Sequence, residues 1–172
     1  MGKVYEEIDE KLAGWLEAQP LFFVATAPAN GHVNASPKGP IESFRIVGPR
    51  TVAYVDLIGS GIETVAHLRE NGRITLMFCA FDGPPRIVRL YGQGRVEAVG
   101  AIDFPALGGE RAVIVVEVDR IADSCGYGVP LMSYVGERPQ RLAWLSRKRK
   151  QDALDTYVAE NNTASIDGLP GL

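Results

Sequence analysis

The side chains of this chain that are typed and spaced for chemistry mostly suit anions. Lys38 lies in Ser36-Pro-Lys-Gly39, a stretch whose glycine lets backbone come close to a ligand. Ser60 sits between Gly59 and Gly61, just ahead of a helical pattern, so it reads as an N-cap, and Glu63, three residues on, completes a capping box. Free N–H groups at such a helix start form a natural anion seat. Arg86 and Arg89 are three residues apart on an expected strand, so they face opposite sides and at most one shares a site with Lys38.

Other chemistries find little support. The only histidines, His32 and His67, have no metal-ligand spacing, and each reads first as a surface or packing residue. Two cysteines, Cys79 and Cys125, are too few for a disulfide framework. No Walker sequence is present, and Gly92-Gln-Gly94 is a lone fragment with no helix after it. A formal charge of -3 argues against a dedicated nucleic-acid binder. No apolar run reaches the roughly 20 residues of a membrane span, and the acidic start MGKVYEEIDE is unlike a signal peptide. The expectation is a cytoplasmic protein with no metal. What remains is cations beside a Ser-Gly helix start, which suit a phosphate, and exposed strand-edge amides, which suit the polar rim of a flavin.

The elements that must position these groups follow from hydrophobic period. Residues 5–19 read as an amphipathic helix with Ile8, Leu12, Trp15 and Leu16 on one stripe, stopped by Pro20. Residues 21–27 and 33–36 read as paired strands about the Pro28-Ala-Asn30-Gly31 turn, with Pro37 to Pro40 breaking the second. Residues 41–47 are extended. The central unit is a β-branched strand over 51–55, a helix carrying Ile62, Val65, Ala66 and Leu68, and a buried strand over 74–78. Strands at 86–91 and 95–99 flank a kink at Gly92-Gln-Gly94, residues 101–110 hold a short helix, and 111–118 form a buried strand. Six or more strands joined by tight turns predict an antiparallel barrel flanked by helices. Beyond it come an ordered loop at 123–130 and a helix over 138–160, whose Arg147-Lys-Arg-Lys150 run is a solvated face. The tail, 161–172, is apolar enough at Ile166 and Leu169 to pack, on this domain or on a second subunit.

In order, these stretches resemble the pyridoxamine 5′-phosphate oxidase family of FMN-binding split barrels. The matching pattern is Asn34-Ala-Ser-Pro-Lys-Gly39, then Asp56-x-x-Gly59-Ser60, a helix with Thr64, Leu68 and Asn71, and Arg89 on a later strand before Gly92. Ser124-Cys-Gly-Tyr-Gly-Val-Pro130 and Ser165-Ile-Asp-Gly-Leu-Pro170 resemble a branch distinct from the true pyridoxamine phosphate oxidases. The resemblance implies a mainly β fold with flanking helices: one split-barrel domain over 1–172, with its helix at 5–19, its barrel at 21–118, and a C-terminal loop, helix and tail at 119–172. It implies a homodimer with FMN at the subunit interface, deazaflavin or haem being the alternative ligands. The cofactor contacts it implies are Ser36, Pro37, Lys38, Gly39, Val55, Asp56, Ser60, Gly61, Thr64 and Arg89. It names no catalytic residue. The activity implied is an oxidoreductase on an unidentified substrate, and the other class of reading is a non-catalytic binding or storage module. Gly59-Ser60-Gly61 stands where true members carry a Ser-Arg-Lys phosphate triplet, and their Arg- and Trp-bearing substrate motif is absent after Val118, which sets vitamin B6 chemistry aside.

Overall fold

The fold is seen in a computed structural model that describes residues 2–172; Met1, counted in the expected domain, lies outside the described residues. Eight strands form one antiparallel sheet: β1 Val4–Tyr5, β2 Phe22–Thr26, β3 Asn34–Lys38, β4 Phe44–Gly48, β5 Thr51–Leu57, β6 Arg73–Cys79, β7 Ile87–Glu97 and β8 Glu110–Ser124. Their spatial order is β3-β2-β6-β7-β8-β5-β4, and β1 pairs with the far end of β8. β8 is the spine: Glu110 to Glu117 pair with β5, and Ile121 and Ala122 pair with β1. Where β5 ends and β1 has not begun, the Arg50 guanidinium donates to the carbonyls of Val118, Asp119 and Glu6 and so fills the gap in the ladder.

The sheet folds over a core of aromatic and branched residues. Phe22 from β2 packs on Phe44 from β4, Tyr54 from β5 and Phe78 from β6, with ring centroids 5.4–5.5 Å apart. Contact between β2 and β4, near opposite ends of the strand order, shows the sheet curled on itself. The edge strands β3 and β4 stay unpaired to each other, so the barrel is split. Helix α1, Glu10–Glu17, buries Leu12 and Leu16, and α2, Glu63–Glu70, buries Val65 and Leu68 against the same core.

Several elements differ from the sequence reading for local reasons. The first helix begins only after Asp9, whose carboxylate caps it through the Leu12 N–H at 2.7 Å, while Val4 and Tyr5 are drawn into the sheet. β3 runs through Pro37 to Lys38, because an edge strand tolerates a residue with no N–H. No helix forms over 101–110, where Gly108 and Gly109 take positive φ; Ile102 and Phe104 instead cover the outer face of β5 and β8 at Ala53, Val113 and Val115. The long C-terminal helix is two: α3, Gln140–Lys150, and α4, Leu154–Asn161, separated at Asp152, whose φ of 52° no helix accommodates. The Arg147 to Lys150 run is exposed apart from Lys148, which lies over the Tyr157 ring.

At the expected Gly92-Gln-Gly94 kink β7 runs on unbroken, and its register against β8 shifts between Tyr91 and Gly92, where Asp119 of β8 is the extra residue. A Cβ on Gly92 would drive into the Glu117 carbonyl of β8, which is backbone and cannot swing away. Gly92→Val is therefore expected to destabilise the domain by about 1–3 kcal/mol or more, read as a fall in the urea midpoint.

Candidate functional site

Register places an unusual row of side chains on the inner face of β3. Asn34, Ser36 and Lys38 pair with Thr26, Val24 and Phe22 of β2, and Val24 and Phe22 are fully buried, so the β3 residues face the barrel interior. An edge strand with three polar residues inward leaves the split lined with hydrogen-bonding groups. Ser36 Oγ donates to Asn34 Oδ1 at 3.0 Å, and Asn34 Nδ2 reaches the Thr64 hydroxyl of α2 at 3.3 Å. Asn34 also approaches the Thr26 hydroxyl, which lies 3.0 Å from Nδ1 of the fully buried His67. His67 Nε2 has no partner among the described residues.

Across the split, Asp56 shares the inner face of β5 with Val52 and Tyr54 and is completely buried. Its carboxylate takes the Arg111 guanidinium in two bonds, from Nε at 2.9 Å and Nη2 at 2.5 Å, and Lys38 Nζ at 3.2 Å. Arg111 reaches inward because β8 bulges there: Asp56 pairs with Ala112 and Leu57 with Glu110, so Arg111 is the extra residue. Its Nη1 also donates to the Gly61 carbonyl at 3.0 Å. The Tyr54 hydroxyl lies close by, buried and without a hydrogen bond among the described residues. Burial, reinforced by the Asp56 charge, pushes the Tyr54 phenol well above its usual range, so it stays protonated.

The start of α2 is built differently from the sequence expectation. Ser60 is exposed and caps nothing; Ile62 is the N-cap residue and makes no side-chain cap bond. The capping box does not form, because Glu63 folds back over Gly61 and accepts the Ile166 N–H at 3.2 Å. The C-terminal tail braces the loop ahead of the helix instead, with the buried Asn162 Nδ2 donating to the carbonyls of Gly59 at 3.1 Å and Gly61 at 3.4 Å. The tail's Asp167 reaches the turn before β3, taking the His32 N–H at 2.8 Å and its Nδ1 at 2.7 Å. These bonds, the backbone N–H first, hold the Asp167 carboxyl below its ordinary value. The tail thus packs on its own domain.

Of the residues expected to hold a cofactor, the structure gathers Ser36, Lys38, Asp56 and Thr64 at the split. Val55 faces the other side of β5, where with Val113, Ile102, Phe104 and Glu110 it lines a cavity of about 380 Å³. Pro37 is outward on β3, Gly39 is exposed, and Gly61 offers its carbonyl to Arg111 and Asn162. Arg89 donates to Ser124 Oγ at 3.2 Å, and Arg86 stacks on Trp15 and bonds Tyr5, so neither joins Lys38. The arginine that does is Arg111, which sequence reasoning missed. Its only signal was a charge at the head of an otherwise apolar run. Removing Asp56 leaves two buried cations facing each other. Asp56→Ala is expected to cost about 3–5 kcal/mol, with part recovered when Lys38→Met is added, both measured by urea denaturation.

Comparison with known proteins agrees with this architecture. The sequence profile described as pyridoxamine 5′-phosphate oxidase matches residues 8–125. The chain is 41% identical over 191 residues to the pyridoxamine 5′-phosphate oxidase family protein ustO of Aspergillus flavus, covering 98% of this chain and 77% of that one. Among solved structures, HupZ of Group A Streptococcus superposes with a TM-score of 0.57 at 22% identity, over 73% of this chain and 99% of that chain. A histidine-to-alanine variant of HupZ gives 0.56 at 24% identity, over 68% and 99%. At those identities the likeness is one of fold. By profile and by relative, the chain belongs to the pyridoxamine 5′-phosphate oxidase family.

Proposed function

We propose that this protein binds a flavin, FMN in particular, and uses it as an oxidoreductase. The observation that carries the reading is the convergence of Lys38 and Arg111 on one buried carboxylate beside the inward row Asn34, Ser36 and Thr64. Two cations against one anion leave a surplus positive charge at the split. Lys38, Ser36 and Asn34 supply donors for a phosphate and for the polar edge of an isoalloxazine ring. A chain with this few titratable groups in place fits a bound redox group, which supplies the electron chemistry while the protein holds and tunes it. Of the expected contacts, Ser36, Lys38 and Thr64 are the ones proposed to face the cofactor directly, and Asp56 acts through Lys38. Pro37, Gly39, Val55, Ser60, Gly61 and Arg89 would meet it only from outside the split.

Family membership supports the same assignment, and the missing Ser-Arg-Lys triplet argues for a substrate other than pyridoxamine 5′-phosphate. Among the described residues no helix is long and apolar enough to cross a membrane. The second reading, a storage or carrier module, differs in one measurement. Bound flavin that NADH or NADPH reduces and an acceptor reoxidises belongs to an enzyme; flavin inert to both belongs to a carrier.

A symmetric homodimer completes the proposal. After β8 the chain runs out as an exposed arm carrying Tyr127, Leu131, Met132, Tyr134 and Val135, the last 97% exposed. So much contiguous apolar surface calls for a cover, and a second copy with the same arm provides one. Sedimentation is expected to give twice the chain mass at micromolar concentration; a single-chain mass refutes the dimer. FMN titration is expected to show saturable binding, weakened roughly tenfold in Lys38→Met by loss of a charge-assisted hydrogen bond. Equal affinity in that variant moves the phosphate elsewhere.

A further inference from the structure

We propose that the C-terminal hairpin is a hinged flap over the polar row of the split, latched by the pairing of Asp167 with His32. The hairpin is internally rigid. Ala164 bridges Pro170, the Ser165 N–H donates to the Leu169 carbonyl at 2.9 Å, and the Leu169 N–H donates to Ser165 Oγ at 3.1 Å. Its base is anchored in the domain. Asn162 is fully buried beneath it, and Gly171 packs so closely on Ile62 that a Cβ there would come within 2.7 Å of the isoleucine side chain.

The tip is held quite differently. Its bonds to the rest of the protein are polar and near the surface: the two from His32 to Asp167, and the Ile166 N–H to Glu63. The His32 side chain is 78% exposed, its partner Asp167 keeps 15% of its side chain exposed, and the tip's large apolar side chain, Ile166, is 72% exposed rather than buried. A rigid hairpin with a buried base and a tip held by exposed hydrogen bonds opens at the tip first, because little apolar area is lost when it lifts.

The position of the tip gives that motion a consequence. It spans from the turn before β3 to the first residue of α2, so its two footholds, His32 and Glu63, flank the place where Asn34 meets Thr64. A ligand approaching that contact, or the unpaired N–H groups of the first turn of α2, must wait for the tip to lift. The latch then sets how fast the site fills. This inference rests on the reading of the split as the flavin site.

The test uses the full chain, FMN as the probe, and the variants Asp167→Asn and His32→Gln. Hydrogen exchange is expected to rise severalfold at residues 163–170 in Asp167→Asn, with β5 and β8 unchanged. Stopped-flow FMN association is expected to rise by a similar factor. His32→Gln, which keeps one donor for the carboxylate, is expected to fall between. Faster exchange with unchanged association overturns the flap and leaves a passive tail; unchanged exchange overturns the latch. If wild type and variants alike take up no FMN, the flavin reading is what fails. The flap is then judged with inorganic phosphate, where identical ³¹P line broadening in wild type and Asp167→Asn overturns it.

Discussion

The arrangement of this protein turns on one buried carboxylate. Asp56 sits on the inner face of a strand between apolar neighbours, with no access to water. Moving a carboxylate there from solvent costs several kcal/mol unless its oxygens are fully occupied. Arg111 gives two bonds to Oδ2 and Lys38 one to Oδ1, and each answers from a different part of the sheet. Arg111 needs the bulge at the head of β8, and Lys38 needs β3 to stay extended through a proline. The Lys38 contact also joins β3 to the far side of a barrel whose edges do not pair. The electrostatic demand of one residue is met by bridging the split.

The same cluster reaches the tail. The Gly61 carbonyl accepts from Arg111 and from Asn162, so the joint between β5 and α2 is pinned from the barrel side and from the C-terminal side. The serine cap its sequence offers is not used, and the residues around the helix start are tied instead to partners about 100 positions away, at separations of 101 and 103. The buried Asn162 amide N–H group gives the Gly59 carbonyl its partner and adds a second donor to Gly61. Three buried polar atoms have no partner among the described residues: Asn162 Oδ1 beneath the tail, and the Tyr54 hydroxyl and His67 Nε2 at the two ends of the polar network around Thr64 and Thr26. Polar atoms buried without partners are rare enough in folded proteins to mark this region as built for something besides stability.

The sequence made the barrel legible because its signals are local. Alternating and β-branched runs and the Asn71-Gly72 stop each depend on neighbours within a few residues, and each appears where its pattern places it. Lys38, Ser36, Asp56 and Thr64 could be picked out for the same reason. Their partners could not. Arg111 meets Asp56 across 55 residues through a bulge that no local pattern encodes, and Asp167 meets His32 across 135. Ser60 failed in the opposite way: its local signal was strong, and a tertiary contact overrode it. Helix lengths were overestimated at 5–19 and 138–160, because amphipathic periodicity continued past residues whose backbones were claimed by a sheet or broken at Asp152.

The geometry also ranks the two cations by what they are free to do. Arg111 gives two bonds to Asp56 Oδ2, holds Gly61 as well, and exposes only 6% of its side chain. It cannot turn to another anion without leaving a buried carboxylate unpaired. Lys38 makes one longer bond to Asp56, exposes 20% of its side chain, and has a flexible stem with three donors on its head. If Lys38 swings outward, Asp56 Oδ2 keeps both guanidinium bonds, while Oδ1 gives up its one side-chain bond among the described residues. Lys38 is thus the less committed of the two cations, and in the proposed reading it is the one that lends charge to a ligand at the split. Asp56 Oδ1 holds the ammonium in place, Arg111 holds Asp56 Oδ2, and the cation nearest solvent is the one with freedom to move.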